Sequence, residues 1–249
     1  MGTGKINLPY QGKEYGLEYK VIKSKRKTIG ISINDAKEVT VKAPHQAEND
    51  IIEFVLQKKA NWIMKKLKEA NEITPPPPPK DYVDGDKLLY LGEYFPVEVR
   101  EYNGVAKTNI SFKKDKILIE IFSYYNTIDE RRELIKEGLV NWYRKMAKKV
   151  IVNRVGQFSN VVGVTPNQVK IKTQKKRWGS CSSKGNLNFN WKLIMAPLPI
   201  LDYVVVHELT HLIHSNHSKE FWAEVKKVIP DYLECREWLK VKGNTLEVT

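Results

Sequence analysis

The stretch HELTHLIHSNH, residues 207–217, holds four of the chain's five histidines. It continues an apolar run, Val204, Val205 and Val206, and its own Leu209, Leu212 and Ile213 leave no wide polar face. A helix that is apolar nearly all round is a buried helix. Polar groups left there without partners cost roughly 2–7 kcal/mol each. Something specific must therefore satisfy His207, Glu208 and His211.

A metal ion would do so. His207 and His211 stand four apart and project from one helix face, one turn apart. That is the geometry with which two imidazoles hold one tetrahedral zinc ion. Glu208, about 100° further round the helix, can reach a water at the metal without being a ligand. His214 lies about 10.5 Å along the axis from His207 by helix rise, too far to share the ion. A polar residue closing the helix C-terminus is the better reading for it. His217 can reach the metal if the helix ends near Ser215–Asn216, with Asn216 in a left-handed turn that folds the chain back. The H-E-x-x-H-x5-H spacing is the histidine spacing of metzincins, with His214 where they have Gly. Glu220 or Glu224 on the following helix is the other candidate for third ligand. A purely structural zinc would need a fourth protein ligand, Cys181 or Cys235, and would have no use for Glu208.

Outward from this helix, Val169, Ile171 and Thr173 alternate with Lys170 and Lys172 in the manner of a strand, SSKGN (182–186) is a turn, and LNFNW (187–191) returns as a second strand. Pro197 and Pro199 suit the start of the histidine helix. SKEFWAEVKKVI (218–229) reads as a helix capped by Ser218 and stopped by Pro230. Far upstream, ITPPPPPKD (73–81) is a stiff polyproline linker. Its two sides look alike. TIGISINDAKEVTVKAP (28–44) and TNISFKKDKILIEIF (108–122) both alternate around a turn. An amphipathic helix follows each, the first capped by Asn49 or Asp50. Asn61-Trp62 and Asn141-Trp142 occupy matching places. The expected fold is α+β: duplicated strand–strand–helix units ahead of a zincin-like domain built from a β-hairpin, an edge strand and the histidine helix. The expected domains are a ββα domain over 1–74, a linker over 75–80 and a metallopeptidase-like domain over 81–249, with a second ββα unit at 81–150 and the core at 151–249.

The 41% apolar content supports real cores. No apolar run reaches the ~18 residues of a membrane span, MGTGKINLPY carries no apolar signal region, and two cysteines cannot build a disulfide framework. A cytoplasmic setting is expected. The net charge is +13, and residues 131–192 alone carry 15 basic and 2 acidic side chains. That segment is either a solvated face or a surface for a polyanion such as nucleic acid, through Lys145, Lys148, Lys149, Lys170, Lys172, Lys175, Lys176 and Arg177. No helix-turn-helix or aromatic stacking pattern accompanies it.

The set RWGSC (177–181), DYVVVHELTHL (202–212), NHSKEFW (216–222) and PDY (230–232) strongly resembles the YgjP-like metallopeptidases, relatives of the WLM and SprT-like zincins. KAP (42–44), the Trp62 helix and YLGEYFPVEV (90–99) fit the resemblance more loosely. It implies a zinc peptidase acting on peptides or proteins, one zinc per chain held at His207, His211 and His217, a catalytic Glu208, and a strand at Trp178–Cys181 bordering the cleft. Arg177, Trp178, Gly179, Ser180 and Cys181 would then form an edge that pairs with an extended peptide, with Gly179 permitting close approach. Trp178 also reads as a packing anchor and Cys181 as a small buried residue. Tyr203, Arg177 and Asn190 are the candidates for stabilising an oxyanion. The competing class is a nucleic-acid-associated adaptor with a structural zinc; a protease acting on DNA-bound proteins would combine the two.

Overall fold

The computed structural model describes residues 2–34, 37–104, 108–122 and 124–249. The chain forms two compact units, Met1–Thr74 and Pro75–Thr249, and is of mixed α+β character.

The first unit has strands β1 (Gly2–Tyr10), β2 (Lys13–Ser24), β3 (Gly30–Ile33) and β4 (Val39–Pro44) in the order β1-β2-β4-β3. β2 and β4 run parallel and the outer pairs antiparallel. Helices α1 (Asn49–Lys58) and α2 (Ala60–Glu72) complete its core, in which Leu8, Val41, Ile52, Leu56 and Ile63 are fully buried. Neither Asn49 nor Asp50 caps α1; Glu48 holds the cap position with extended backbone and no side-chain bond.

The second unit opens with β5 (Lys87–Tyr90), β6 (Glu93–Tyr102), β7 (Asn109–Lys113) and β8 (Lys116–Phe122), ordered β5-β6-β8-β7, again with a central parallel pair. The correspondence is residue by residue. Pair Tyr10↔Lys13 recurs as Tyr90↔Glu93, and Tyr19↔Val39 as Val99↔Ile119. The turns match too: Gln11 and Gly12 both have positive φ, as do Leu91 and Gly92. Two successive left-handed residues make the hairpin turn whose twist suits antiparallel strands. Each copy of the repeat therefore carries four strands among the described residues, where the sequence suggested two. The first hairpin carries the same alternation, with Ile6, Leu8 and Tyr10 on the more enclosed side of β1 and Lys5, Asn7 and Pro9 exposed, although only Leu8 is fully buried.

Helix α3 (Ile128–Val162) follows, 35 residues long and about 52 Å by helix rise. Thr127 caps it, accepting from the Glu130 amide, while the Glu130 carboxylate accepts from the Asn126 amide. Position 150 lies inside this continuous helix, so no boundary falls there. One core joins residues from Tyr82 to Val248. Buried Arg131 ties the start of α3 to the sheet, donating to Glu101 at 2.8 Å and to the carbonyls of Asp81 and Tyr82.

A three-stranded sheet comes next: β9 (Gln168–Lys172), β10 (Gly179–Cys181) and β11 (Asn186–Asn190), ordered β10-β11-β9. A 3-10 turn, Trp191–Met195, leads into α4 (Leu198–Thr210). Pro199 lies in the first turn of α4, where its missing N–H costs nothing. Every residue of α4 from Ile200 to Thr210 is buried except His207, which is partly so. Helices α5 (Lys219–Val228) and α6 (Tyr232–Lys242) pack against it. Ser218 caps α5 by accepting from the Phe221 amide.

A buried helix cannot carry a charge without a partner. Asp202 on α4 meets Arg154 of α3, which donates Nε to Oδ1 at 2.6 Å and a second N–H to Oδ2. This fork fixes the rotation of α4. Replacing Asp202 by Ala strands the guanidinium and should lower the unfolding free energy by about 3 kcal/mol. Denaturant titration checks this; a loss below ~0.5 kcal/mol would mean that the fork does not hold the helix.

Candidate metal centre and cleft

Helix α4 stops at Thr210, earlier than the sequence suggested. The Thr210 hydroxyl donates back to the Val206 carbonyl at 2.8 Å, and the chain tightens into i,i+3 turns through Leu212 and Ile213. His211 therefore sits at the C-cap, with φ −65° and ψ −15°, still one turn beyond His207. Asn216 has no left-handed backbone. The return of the chain is made by the 211–217 turns themselves, which bring His217 back over His207.

The three imidazoles converge. Ring centroids of His207, His211 and His217 lie 4.7–5.0 Å apart. One nitrogen from each falls within 4.8 Å of the others, and His207 Nε2 to His217 Nε2 is 3.1 Å. Two nitrogens bound to one tetrahedral ion at 2.0–2.1 Å stand about 3.3 Å apart, so the set fits a small divalent metal. His211 Nδ1 faces the carbonyl of His214 at 3.1 Å. That contact leaves Nε2 with its lone pair free and orients the ring. His214 thus contributes its backbone, and its side chain stays outside the cluster. Glu220 and Glu224 stay outside too: Glu220 caps locally with Ser218, and Glu224 pairs with Lys227. Neither cysteine joins the group. Cys181 lines the cleft, and Cys235 is buried near the Pro199 carbonyl; burial pushes both thiols up from their usual range.

Aromatic rings box the histidines. Phe221 lies 4.6–5.0 Å from all three, and Trp222 stacks on His217 at 5.5 Å with Tyr232 behind it at 5.1 Å. Burial, and then electrostatic repulsion from His211, His217 and Arg236, push His207 down to about 3. It is therefore neutral at pH 7, as a ligand must be. Glu208 is 4% exposed and points to the same place. Burial pushes its carboxyl up to about 8, with Arg177 opposing. Its Oε2 and the Nδ1 of His207 are buried without a hydrogen-bond partner among the described residues.

These groups line a cleft of about 840 Å³. Its opposite wall is β10, the edge strand of its sheet. Trp178 O accepts from Asn190 N, and Ser182 N donates to Asn186 O. Bonded positions alternate in an antiparallel ladder, so Gly179 and Cys181 turn their N–H and C=O groups outward, away from β11. Gly179 lies against Glu208: a Cβ there would stand 2.5–2.8 Å from the carboxylate and Cγ. Arg177, Ser180 and Cys181 share the cleft, whereas Trp178 faces a side pocket and packs on Gly243. Asn190 is structural. Its amide holds the carbonyls of Gln174 and Arg177, and its oxygen accepts from the Lys192 amide. Arg236, which no sequence pattern singles out, stands in that side pocket beside His207 and Tyr203.

Residues 27–242 match the family described as YgjP-like, metallopeptidase domain. The chain belongs to that family. Among solved structures, the metallopeptidase zymogen abylysin of Pyrococcus abyssi is similar at 25% identity, over 36% of this chain and 94% of that one, with a TM-score of 0.34. No curated protein matches the chain. Among the described residues, no helix is long and apolar enough to cross a membrane.

The contact between Gly179 and Glu208 gives a direct test. Gly179→Ala should leave the fold intact, at a cost of about 1–3 kcal/mol for overpacking, and should displace the Glu208 side chain. Peptidase activity should fall at least tenfold while metal content is kept. Wild-type activity in that variant would show that the carboxylate tolerates displacement.

Proposed function

We propose that the chain is a zinc-dependent metallopeptidase in which His207, His211 and His217 bind one zinc ion and Glu208 is the general base. The observation that carries this is a buried, unpartnered carboxylate beside three converging imidazoles, facing a free strand edge. Zinc, when bound, supplies Lewis acidity, lowering the pKa of a coordinated water to about 7 and polarising a carbonyl. The residues do the rest. An extended peptide pairs with the outward main-chain groups of Gly179 and Cys181. Glu208, with Oε2 free, accepts a proton from the attacking water and delivers it to the leaving nitrogen. Burial holds this carboxyl high without a cation, and a nearby positive charge draws it back toward neutrality, where a general base works best. Phe221 and Trp222 keep the site apolar. A structural-zinc role has less support, because no fourth protein ligand approaches the imidazoles among the described residues.

Glu208→Gln should keep full zinc content and lose peptide hydrolysis by a factor of at least 10³. His217→Ala should lose zinc affinity at least 100-fold, whereas His214→Ala, which keeps the carbonyl that His211 faces, should retain it. Metal analysis and hydrolysis of a quenched peptide, run side by side, check all three. Loss of zinc in Glu208→Gln, or reversed behaviour of the two histidine variants, would overturn the assignment.

A second reading concerns the basic segment. Lys145, Lys148 and Lys149 on α3, Lys170 and Lys172 on β9, and Lys175, Lys176 and Arg177 are all exposed, and none forms an ion pair among the described residues. Unneutralised cations favour a polyanion, so DNA affinity should fall linearly in log salt. A titration without binding at low salt removes this reading and leaves the peptidase untouched.

A further inference from the structure

The cleft has a side pocket of about 330 Å³ that opens on the same His207 and Glu208. Its lining differs in charge from that of the main cleft. Among the main cleft's lining residues the one cationic side chain outside the histidines is Arg177, and Ser180, Ser182, Ser183 and Ser215 supply most of the polarity. The side pocket gathers Lys176, Arg177, Arg236 and Lys240 around Trp178 and Tyr203. Lys240 is engaged by Glu237 at 3.1 Å. Lys176, Arg177 and Arg236 make no ion pair among the described residues; Arg236 lies over the Trp222 ring at 5.4 Å. The sole acidic group in the wall is Glu208, already committed to the metal site. Three cations thus converge on one small pocket without an anion to meet them.

The pocket is also built. Asn190 pins the Gln174 and Arg177 carbonyls, Asn190 N holds Trp178 O, and the Trp178 ring is wedged against Gly243. The backbone that carries Arg177 is therefore fixed, and the planar fork of its guanidinium suits a carboxylate.

Strand direction says which part of a substrate arrives there. β10 runs from Gly179 to Cys181, and a peptide added antiparallel to it runs the other way. Its carboxyl-terminal half then leaves the metal site toward Arg177. We propose that Lys176, Arg177 and Arg236 form a carboxylate-binding subsite for the leaving half of the substrate, so that the chain prefers peptides with an acidic residue or a free C-terminus just beyond the scissile bond. This rests on the peptidase reading above.

The test is a set of quenched peptides identical except at the first two positions after the scissile bond, which carry Glu, Gln or Lys. A parallel set ends there as free acid or amide. Kcat/KM for Glu over Gln, or for acid over amide, should be at least tenfold, with Lys poorest. The first contrast identifies a side-chain carboxylate, the second a terminal one. Anisotropy of labelled cleavage-resistant versions bound to zinc-loaded Glu208→Gln protein should give the same order without turnover. In Arg177→Gln/Arg236→Gln the ratios should collapse to near one, while Lys226→Gln, remote on α5, keeps them. Hydrolysis with no carboxylate preference, or with the preference on the amino side of the bond, overturns the subsite and leaves the peptidase standing. Binding in the predicted order without hydrolysis of any peptide by wild type overturns the peptidase and leaves the subsite. The wild-type series decides the question even if the double variant does not fold.

Discussion

The burial of α4 is the constraint on which the rest depends. Nearly every residue from Ile200 to Thr210 is enclosed, so each polar group on it needs an internal answer. Asp202 finds Arg154, and Thr210 finds the Val206 carbonyl. The imidazole of His207 and the carboxylate of Glu208 find no complete answer within the protein. The helix is thus held rigidly by the residues that are satisfied and presents, at one point, two that are not. The same enclosure pushes His207 down to about 3 and the Glu208 carboxyl up to about 8.

This division explains what could be read from the sequence. The relation of His207, Glu208 and His211 is local, set by helical periodicity, and any buried helix would preserve it. His217 could be anticipated from its spacing, but the route could not. The helix ends through a threonine hydroxyl and a run of tight turns, neither of which leaves a periodic signal, and no asparagine needs a left-handed backbone. Arg236 was hidden for a different reason. An exposed arginine on an amphipathic helix such as α6 looks like any solvated cation, and its proximity to His207 is purely tertiary. The alternation of β3, β4 and β7 was visible because one face of each is the more enclosed, whereas β8 buries Ile117, Leu118 and Ile119 in succession and reads as an apolar run. The hairpins β1–β2 and β5–β6 carry few fully buried side chains, and their turns, Gln11-Gly12 and Leu91-Gly92, are not the Asn-Gly or Asp-Gly pairs that mark a hairpin in sequence.

The edge strand shows how closely backbone and chemistry are tied. β10 is only three residues long, yet it supplies a free row of main-chain groups and the glycine against which Glu208 rests, and the arginine that lines both cleft and side pocket lies just ahead of it. Very short edge strands resist unwanted pairing with other chains. Here the brevity also confines any productive pairing to the point above the imidazoles.

The repeated hairpin turn has diverged in what it must tolerate. At Gly12 the surroundings are open among the described residues, whereas Gly92 touches Pro197 at the head of α4, and its hairpin is bonded to Ile194 and Met195. One copy of a shared design is therefore free to accept inserted residues, tags or sequence drift at its tip. The other has become the abutment of the histidine helix and can accept none of these without shifting the head of that helix. Where two copies of a unit coexist in one chain, evolutionary latitude at equivalent positions is set by what each copy has come to lean on.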